Sequence, residues 1–237
     1  MRYIFCNKII FIFFITILGV SNLYSQIGGR ENYNFREFNR KSYYFGINIG
    51  INNSSYKVFQ SKNFIGNDSI RVTQGNAATG VNMHMITNLK IGEYFDFRFL
   101  PGFSFAQRSL QYTNVSDSRV IDRKIESVFF ELPFHLRFKS DPYKDKRAFV
   151  VAGLKYSYDV QSNSKSRQSI LKIAPHDFQY EIGIGMQMFY PYFIFSPEIK
   201  FSRGITNILI YDNTLNEAKV LENVVSQIFT LSFNFEG

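Results

Sequence analysis

The chain has 237 residues, a length that allows one large domain or two small ones. It contains 27 Phe, 15 Tyr and no Trp, far more phenylalanine than average usage, although its mean hydropathy of -0.13 is that of a soluble protein. The net charge is +8, and it falls to +6 without the two basic residues of the N-terminal signal described next. In an exported chain this excess favours anionic lipid headgroups over nucleic acid, unless it is only solvated charge on loops.

Residues 1–25 are predicted to be a cleavable secretory signal. A positive stretch with Arg2 and Lys8 precedes the apolar run IIFIFFITILGV, and Ser25 offers a small residue at the cleavage position. The run is too short for a membrane-spanning helix. The only cysteine, Cys6, precedes the run, which argues against a lipoprotein and leaves the mature chain without thiol or disulfide chemistry.

Residues 26–42 (QIGGRENYNFREFNRKS) are polar, basic and aromatic. We predict a periplasmic segment, either a docking tail or a disordered lead-in to the first strand. The next stretch, YYFGINIGIN, has Gly46 and Gly50 four residues apart, as in packed membrane helices. Asn48 lies between them, and all three share one face only on a strand. The stretch therefore predicts a strand with an apolar face and a small, polar face.

Seven later stretches repeat this alternation: GVNMHMITNLKI, FDFRFLPGFSFAQRSLQY, ESVFFELPFHLRF, AFVVAGLKYSYDV, DFQYEIGIGMQM, FIFSPEIKFSRG and SQIFTLSFNFEG. Eight strands are an even number and the minimum for a bacterial outer-membrane barrel. Pro101, Pro133 and Pro197 lie within these patterns. Because proline removes a ladder donor, we expect them at edges, bulges or strained positions.

The connections between the strands alternate in length. Short turns alternate with long polar segments, predicted at Ser55–Thr79, Thr113–Lys124, Gln161–Ala174 and Ile205–Asn223. This is the pattern of an up-and-down meander with both termini at one end. In outer-membrane barrels the short turns are periplasmic and the long loops extracellular.

The volume of the side chains decides which face points outward. A soluble lipocalin-like barrel would need to hold about forty bulky apolar side chains, but an eight-stranded barrel is only just wide enough to be filled. The opposite face is rich in Gly, Asn, Ser and Thr, which fit a narrow polar lumen. We therefore predict an all-β fold, an eight-stranded antiparallel up-and-down transmembrane β-barrel over residues 43–237 in the outer membrane. A two-sheet sandwich is the alternative.

Charged residues of both signs are predicted to face the lumen and to pair across strands, because an unpaired charge is costly there. They are Asp96, Arg98, Arg108, Glu131, Arg137, Lys155, Asp159, Glu181, Glu198 and Lys200. A conduction path is one interpretation of these charges. We favour an interlocked polar plug, because a barrel of eight strands leaves no open channel.

The sequence contains few candidates for metal-binding or catalytic residues. The three histidines lack metal-ligand spacing, so no metal, cofactor or small-molecule substrate is predicted. The pair His176-Asp177 is the one candidate for catalysis, at the outer end of the sixth strand. No serine is identifiable as its nucleophile, and we predict that the protein is not an enzyme.

Two long loops are candidates for partner contacts. The third is basic, with Lys165, Arg167 and Lys172, and either meets lipid A phosphates or is solvated. The last loop is more apolar than an exposed loop needs. Its apolar residues predict either a small folded cap or a partner-binding patch: Ile208, Leu209, Ile210, Leu215, Val220 and Leu221.

Two stretches resemble a known family. FDFRFLPGFSFAQRSLQY and ESVFFELPFHLRFKSDPYKDKRAFVVAGLKYSYDVQSN are similar to the PorT family of Bacteroidota, most specifically in ELPFHLRFKS and AFVVAGLKYSYD. With the flanking strands the similarity covers almost all of the mature chain. It implies an integral outer-membrane component of the type IX secretion system, which exports proteins with a C-terminal signal domain and supports gliding motility. The family has no catalytic motif to carry over.

Three hypotheses follow. The first is a non-enzymatic accessory barrel of secretion that contacts other secretion proteins. The second is a general structural or adhesive barrel of the OmpA transmembrane type, which acts through its loops, outer-membrane lipid and lipopolysaccharide. The third is an enzyme at the rim near His176.

Overall fold

The computed structural model describes residues 32–60, 70–114, 120–161, 172–210 and 221–237. Within these ranges the chain forms one short helix, α1 (Tyr33–Asn39), and eleven strands. The strands are β1 (Tyr43–Gln60), β2 (Ile70–Ile91), β3 (Phe95–Phe99), β4 (Gly102–Asn114), β5 (Val120–Lys139), β6 (Lys146–Asp159), β7 (Lys172–Ile173), β8 (His176–Phe189), β9 (Ile194–Gly204), β10 (Leu209–Ile210) and β11 (Leu221–Glu236). None of the described residues forms a helix that is long and apolar enough to cross a membrane.

The sheet closes on itself. β1 pairs antiparallel with β2 on one side and with β11 on the other, so the wall runs β1, β2, β3–β4, β5, β6, β8, β9, β11 and back to β1. β3 and β4 form one wall strand, since their pairing with β2 keeps the same register across Leu100 and Pro101. β7 and β10 pair with each other outside the wall. This ring of eight antiparallel wall strands confirms the predicted barrel and excludes the sandwich.

The prolines depart in part from the prediction. A closed ring has no edge, and Pro133 and Pro197 lie opposite Lys155 and Phe233 in ladders without a register shift. The wall therefore accommodates two prolines that lack an amide donor, without a bulge in these two ladders. Pro101 does interrupt its strand, and its carbonyl still accepts a hydrogen bond of 2.9 Å from the Met85 amide.

The wall has an apolar outside and a polar inside. Ile49 is 46% exposed, whereas its neighbour Asn48 is completely buried. The same alternation runs along the other wall strands, with Phe, Ile, Leu and Met outside and Asn, Ser and charged residues inside. The strand interpretation of YYFGINIGIN is therefore correct, and the helix interpretation is wrong.

We expect the two glycines of that stretch to differ in their tolerance of a side chain. A Cβ at Gly46 would lie 2.3 Å from the Phe235 carbonyl oxygen, which is backbone of β11, whereas at Gly50 it would meet the ends of the Asn82 and Ser232 side chains. The ends of the Asn82 and Ser232 side chains can move away from a new methyl group, but the β11 backbone is held in place by its ladder hydrogen bonds. Gly46→Ala should cost about 1–3 kcal/mol of unfolding free energy, and Gly50→Ala clearly less, in urea titrations of the folded barrel. Equal losses would contradict this account.

The wall strands extend well beyond the predicted ones at one end. β1 and β2 have 18 and 22 residues, about twice the 9–11 that cross a bilayer, whereas β6, β8 and β9 have 14, 14 and 11. The predicted connection Ser55–Thr79 is therefore largely strand, and β4 and β5 shorten the connection Thr113–Lys124 in the same way. The reason is that outward residues above Ile51 turn polar, as Asn53 and Lys57 do, so apolar alternation stops before the strand does.

A charged side chain in the middle of the outer wall should destabilise the barrel. Ile184, on the outside of β8, is 62% exposed, and apolar residues lie above and below it on the same face. We call these exposed outward Phe, Ile, Leu, Val and Met side chains of the wall strands the apolar belt. We expect Ile184→Arg to destabilise the barrel in lipid vesicles by about 2–4 kcal/mol, and Asn53→Arg, above the apolar belt, by about 0–1 kcal/mol. Unfolding titrations in vesicles measure both. A similar cost at the two positions would show that the belt is not the lipid-facing surface.

Candidate functional site: a closed polar lumen

The lumen is filled by ion pairs, in two groups along the barrel axis. The first group lies towards the end with the short turns. Arg98 bridges Glu198 and Glu236 at 2.9 and 3.0 Å, and Arg137 bridges Asp96 and Glu236 at 2.6 and 3.3 Å. All these side chains are completely removed from solvent. The arginine forks thus connect β3, β5, β9 and β11 across the lumen.

Further donors and acceptors complete this first group. Lys139 pairs with Asp96, and Lys200 lies 3.4 Å from Glu198. Arg137 also donates to the Tyr44 hydroxyl and, at 3.1 Å, to the Asn88 amide oxygen. Each carboxylate of the group therefore contacts two cations, which offsets the cost of burying it.

The second group lies nearer the long loops and is centred on Lys155. Its ammonium lies 3.2 Å from Glu131 and 3.1 Å from Glu181. Each carboxylate also contacts a histidine, His84 at 3.1 Å from Glu131 and His135 at 2.6 Å from Glu181. Two histidines without metal-ligand spacing in the sequence thus have a structural partner each.

Most of the predicted lumen charges meet here. Eight of the ten lie in the two groups: Asp96, Arg98, Glu131, Arg137, Lys155, Glu181, Glu198 and Lys200. Asp159 accepts a hydrogen bond of 3.0 Å from Ser127. Arg108 lies in β4, but its side chain is outside the described residues. Sequence reasoning missed Lys139 and Glu236, although both continue the period-two pattern of inward residues.

The short-turn end is covered by the N-terminal helix. Phe35 and Phe38 of α1 are buried and form an apolar cluster with Phe189 and Ile194. Lys90 donates a 2.6 Å hydrogen bond to the Phe38 carbonyl, and the Arg147 guanidinium lies 5.4 Å from the centre of the Phe35 ring. Residues 33–39 are thus packed on the barrel; a disordered lead-in does not describe them.

Asp145 fastens this helix to the hairpin between β5 and β6. Its carboxylate accepts hydrogen bonds of 2.9 Å from the Phe35 amide and 3.3 Å from the Asn34 side chain. Its own amide donates to Asn32 Oδ1 at 3.0 Å. Asp145 and its neighbour Lys144 have φ of 55° and 50°, a left-handed conformation that favours glycine or asparagine. We attribute the presence of Asp at this position to its contacts with α1.

The short turns also contact one another. The exposed Tyr94 hydroxyl hydrogen bonds to Asp141 of the neighbouring turn, and this bond raises the pKa of Tyr94 above its usual value. Arg147 donates to the Glu93 carbonyl at 2.7 Å and to that of Ser140. These contacts link the turns around α1.

The candidate catalytic pair does not meet. His176 is exposed on the outside of the wall, where its ring nitrogen lies 2.6 Å from the Tyr156 hydroxyl. Asp177 points into the lumen and accepts a 2.7 Å hydrogen bond from Gln179. Neighbouring residues on a strand face opposite sides, so these two cannot act as one pair. Among the described residues, no group of His, Cys, Asp and Glu is arranged to hold a metal ion.

The apolar residues of the last loop are partly folded onto the barrel. Ile208 is 1% exposed, and its amide donates to the Val224 carbonyl of β11 at 3.0 Å. Leu209 and Ile210 form β10 and are half-buried against β7. Leu215 and Val220 lie outside the described residues, as does the side chain of Leu221. Ile208 is thus part of the folded barrel, whereas Leu209 and Ile210 keep part of their surface exposed, so the choice between a cap and a partner-binding patch stays a prediction.

The sequence also matches a family model. Residues 22–209, more than half of the chain, match the model described as "Outer membrane protein beta-barrel domain". The chain belongs to this family. It is therefore an outer membrane β-barrel protein, and the apolar belt is the surface that such a barrel presents to lipid.

Several solved structures are similar to this outer membrane barrel. OprG from Pseudomonas aeruginosa is 10% identical with a TM-score of 0.47, and the match covers 82% of this chain and 95% of that one. Ail of Yersinia pestis, solved with the heparin analogue sucrose octasulfate, is 13% identical with a TM-score of 0.38, over 83% and 100%. Neisserial surface protein A is 10% identical with a TM-score of 0.42, over 81% and 96%. No curated protein matches the chain in sequence.

Proposed function

We propose that this protein is a non-enzymatic structural or adhesive barrel of the outer membrane, with a lumen that does not conduct. The ion pairs of the lumen support this proposal most directly. Arg98, Arg137 and Lys155 each bridge two carboxylates from different strands, and α1 covers the short-turn end. A barrel without a path through it acts through its outer surfaces: the lipid-facing wall and the long loops.

The orientation is part of the proposal. As in other outer-membrane barrels, the short turns and both termini are periplasmic and the long loops extracellular. The partners are outer-membrane lipid and lipopolysaccharide on the belt and loops. Residues 26–42 then lie in the periplasm, where α1 packs on the barrel.

Electrical recording tests the closed lumen. The barrel, reconstituted in a planar bilayer, should show no stable conductance steps, because an open path requires several ion pairs to break together. Stable steps from the wild-type protein would contradict a non-conducting barrel.

A PorT-like role in type IX secretion is the second candidate. The sequence resemblance of ELPFHLRFKS and AFVVAGLKYSYD is the observation behind it, and these stretches contribute Glu131, His135, Arg137, Lys139 and Lys155 to the lumen groups. Several residues of these two stretches thus form ion pairs in the lumen of this barrel. In this role the barrel contacts other secretion proteins through its turns, loops or residues 26–42.

Deleting the gene separates the two candidates. Leaky or fragile cells with unchanged secretion support the structural barrel. Loss of secreted proteins that bear the C-terminal signal, with an intact envelope, supports the secretion role and contradicts the first proposal. Re-expression of the wild-type chain must restore either phenotype, and measurement of secreted protein and of detergent sensitivity in the same strains decides the question.

A further inference from the structure

The short-turn end of the lumen has more positive than negative charge. Its three buried carboxylates, Asp96, Glu198 and Glu236, are each shared by two cations. Those cations are Arg98, Arg137, Lys139 and Lys200. All three carboxylates of this group are therefore already neutralised by residues of the lumen itself.

Two more cations lie at this end without a carboxylate partner among the described residues. Arg147 is 2% exposed, and its guanidinium donates to the carbonyls of Ser140 and Glu93. The Lys90 ammonium donates to the Phe38 carbonyl. Carbonyl oxygens satisfy hydrogen bonds but carry no net charge, so the buried Arg147 and the half-buried Lys90 form no ion pair of their own among these residues.

Other acids do not remove this excess. Asp96 acts on both Lys90 and Arg147, but it is already shared by Arg137 and Lys139. Glu93 and Asp141 act on Arg147 from the exposed short turns, where water screens their charge. The carboxylate of Asp145 is occupied by α1, through the Phe35 amide and the Asn34 side chain. Among the described residues, six cations therefore lie with three buried carboxylates at this end.

Both cations line the same small, partly open cavity. It lies between α1 and the lumen charges, and its lining includes Lys90, Lys139, Arg147, Tyr44, Gln187 and Phe35. The cavity volume is about 10 Å³, which is the scale of a site for one water molecule or one small ion. Three cationic side chains around a cavity of this size favour an anion over a neutral molecule.

We propose that this cavity binds a single monovalent anion of halide size, which links α1 to the barrel. The anion accepts from Lys90 and Arg147, and both of these side chains also contact α1, at the Phe38 carbonyl and the Phe35 ring. Binding therefore stabilises the packed helix over the short-turn end. The inference is independent of the proposed function, since it depends only on the charges and the cavity.

Amide hydrogen exchange of residues 33–39 tests the site. The full-length mature barrel is compared in sodium chloride and in sodium gluconate at equal ionic strength, because gluconate is too large for the cavity. Chloride should slow exchange of these amides, by about tenfold when its concentration is about ten times the dissociation constant. Equal exchange rates in the two salts would overturn the proposal and leave the cavity to water.

Two variants and one crystal complete the test. Lys90→Gln removes a cation that pairs with no carboxylate, so the barrel should fold and the difference between the salts should disappear. Lys57→Gln, on the outer wall above the apolar belt, is the matched control and should retain the difference. Crystals grown in bromide should show an anomalous peak between Lys90 and Arg147. An empty cavity there, or a chloride effect that survives Lys90→Gln, would contradict the site.

Discussion

Replacing Arg137 with methionine should lower the unfolding free energy of the barrel by about 3–5 kcal/mol, among the largest effects expected of any single substitution. The methionine fills much of the same volume, but Asp96 and Glu236 lose a buried cation at 2.6 and 3.3 Å. The Tyr44 hydroxyl and the Asn88 amide oxygen lose their donor as well. Urea titration in detergent micelles, followed by heat-modifiable gel mobility, measures the loss.

Two controls separate the lost ion pair from a general effect of substitution. Arg36→Met, at an exposed position of α1, should stay within about 0.5 kcal/mol of the wild type. Adding Glu236→Gln to Arg137→Met removes a carboxylate that has lost one of its two cations, while Arg98 keeps Glu198, so part of the stability should return and the two changes are not additive. A loss below about 1 kcal/mol for Arg137→Met alone would mean that water reaches this group and that the lumen is not sealed there.

The faces of the wall strands were predictable from the sequence because a strand has a strict period of two. Ile47, Ile49 and Ile51 face outward and Asn48 inward for a purely local reason, and the narrow lumen fixes which face is inside. Strand ends were less predictable. From Asn52 to Ser55 both faces are polar, so the pattern that marks a membrane-spanning strand is interrupted there, although β1 continues to Gln60.

The pairing inside the lumen could be predicted in kind but not in detail. Inward charges of both signs imply pairs, yet the partners depend on how the ring closes. Arg98 meets Glu236, 138 residues away, because β11 closes the ring against β1 and its last residue, Glu236, faces the lumen. His84 and His135 show no motif in sequence, since each becomes a partner of a glutamate only through the curvature of the wall.

The helix α1 was not predicted for a different reason. Seven residues are too few for a helix to be stable by itself in water. Its contacts come from Asp145 and Phe189, more than a hundred residues away, and a single sequence gives no signal for such distant partners. The burial of Ile208 against β11 is likewise a tertiary property, which is why the last loop left a cap and a binding patch equally plausible.

Lys155→Met should be as damaging as Arg137→Met, by about 3–5 kcal/mol, because it leaves two buried carboxylates without the cation they share. Glu131 and Glu181 lie 3.2 and 3.1 Å from Lys155. Lys200→Met is the matched control and should cost clearly less. Lys200 forms its ion pair with Glu198, at 3.4 Å, and Glu198 retains Arg98 at 2.9 Å.

The same variant should differ from the wild type in how its stability depends on pH. In Lys155→Met a proton taken up by Glu131 or Glu181 replaces the lost positive charge, so the folded state binds more protons than the unfolded chain near neutral pH. Stability then rises as pH falls, because the slope of unfolding free energy with pH has the sign of the difference in protons bound, unfolded minus folded. Urea midpoints for Lys155→Met should therefore increase from pH 8 to pH 6, while those of Lys200→Met follow the wild type. A flat profile for Lys155→Met would show that Glu131 and Glu181 are hydrated and that the second group of lumen charges is open to the long-loop side.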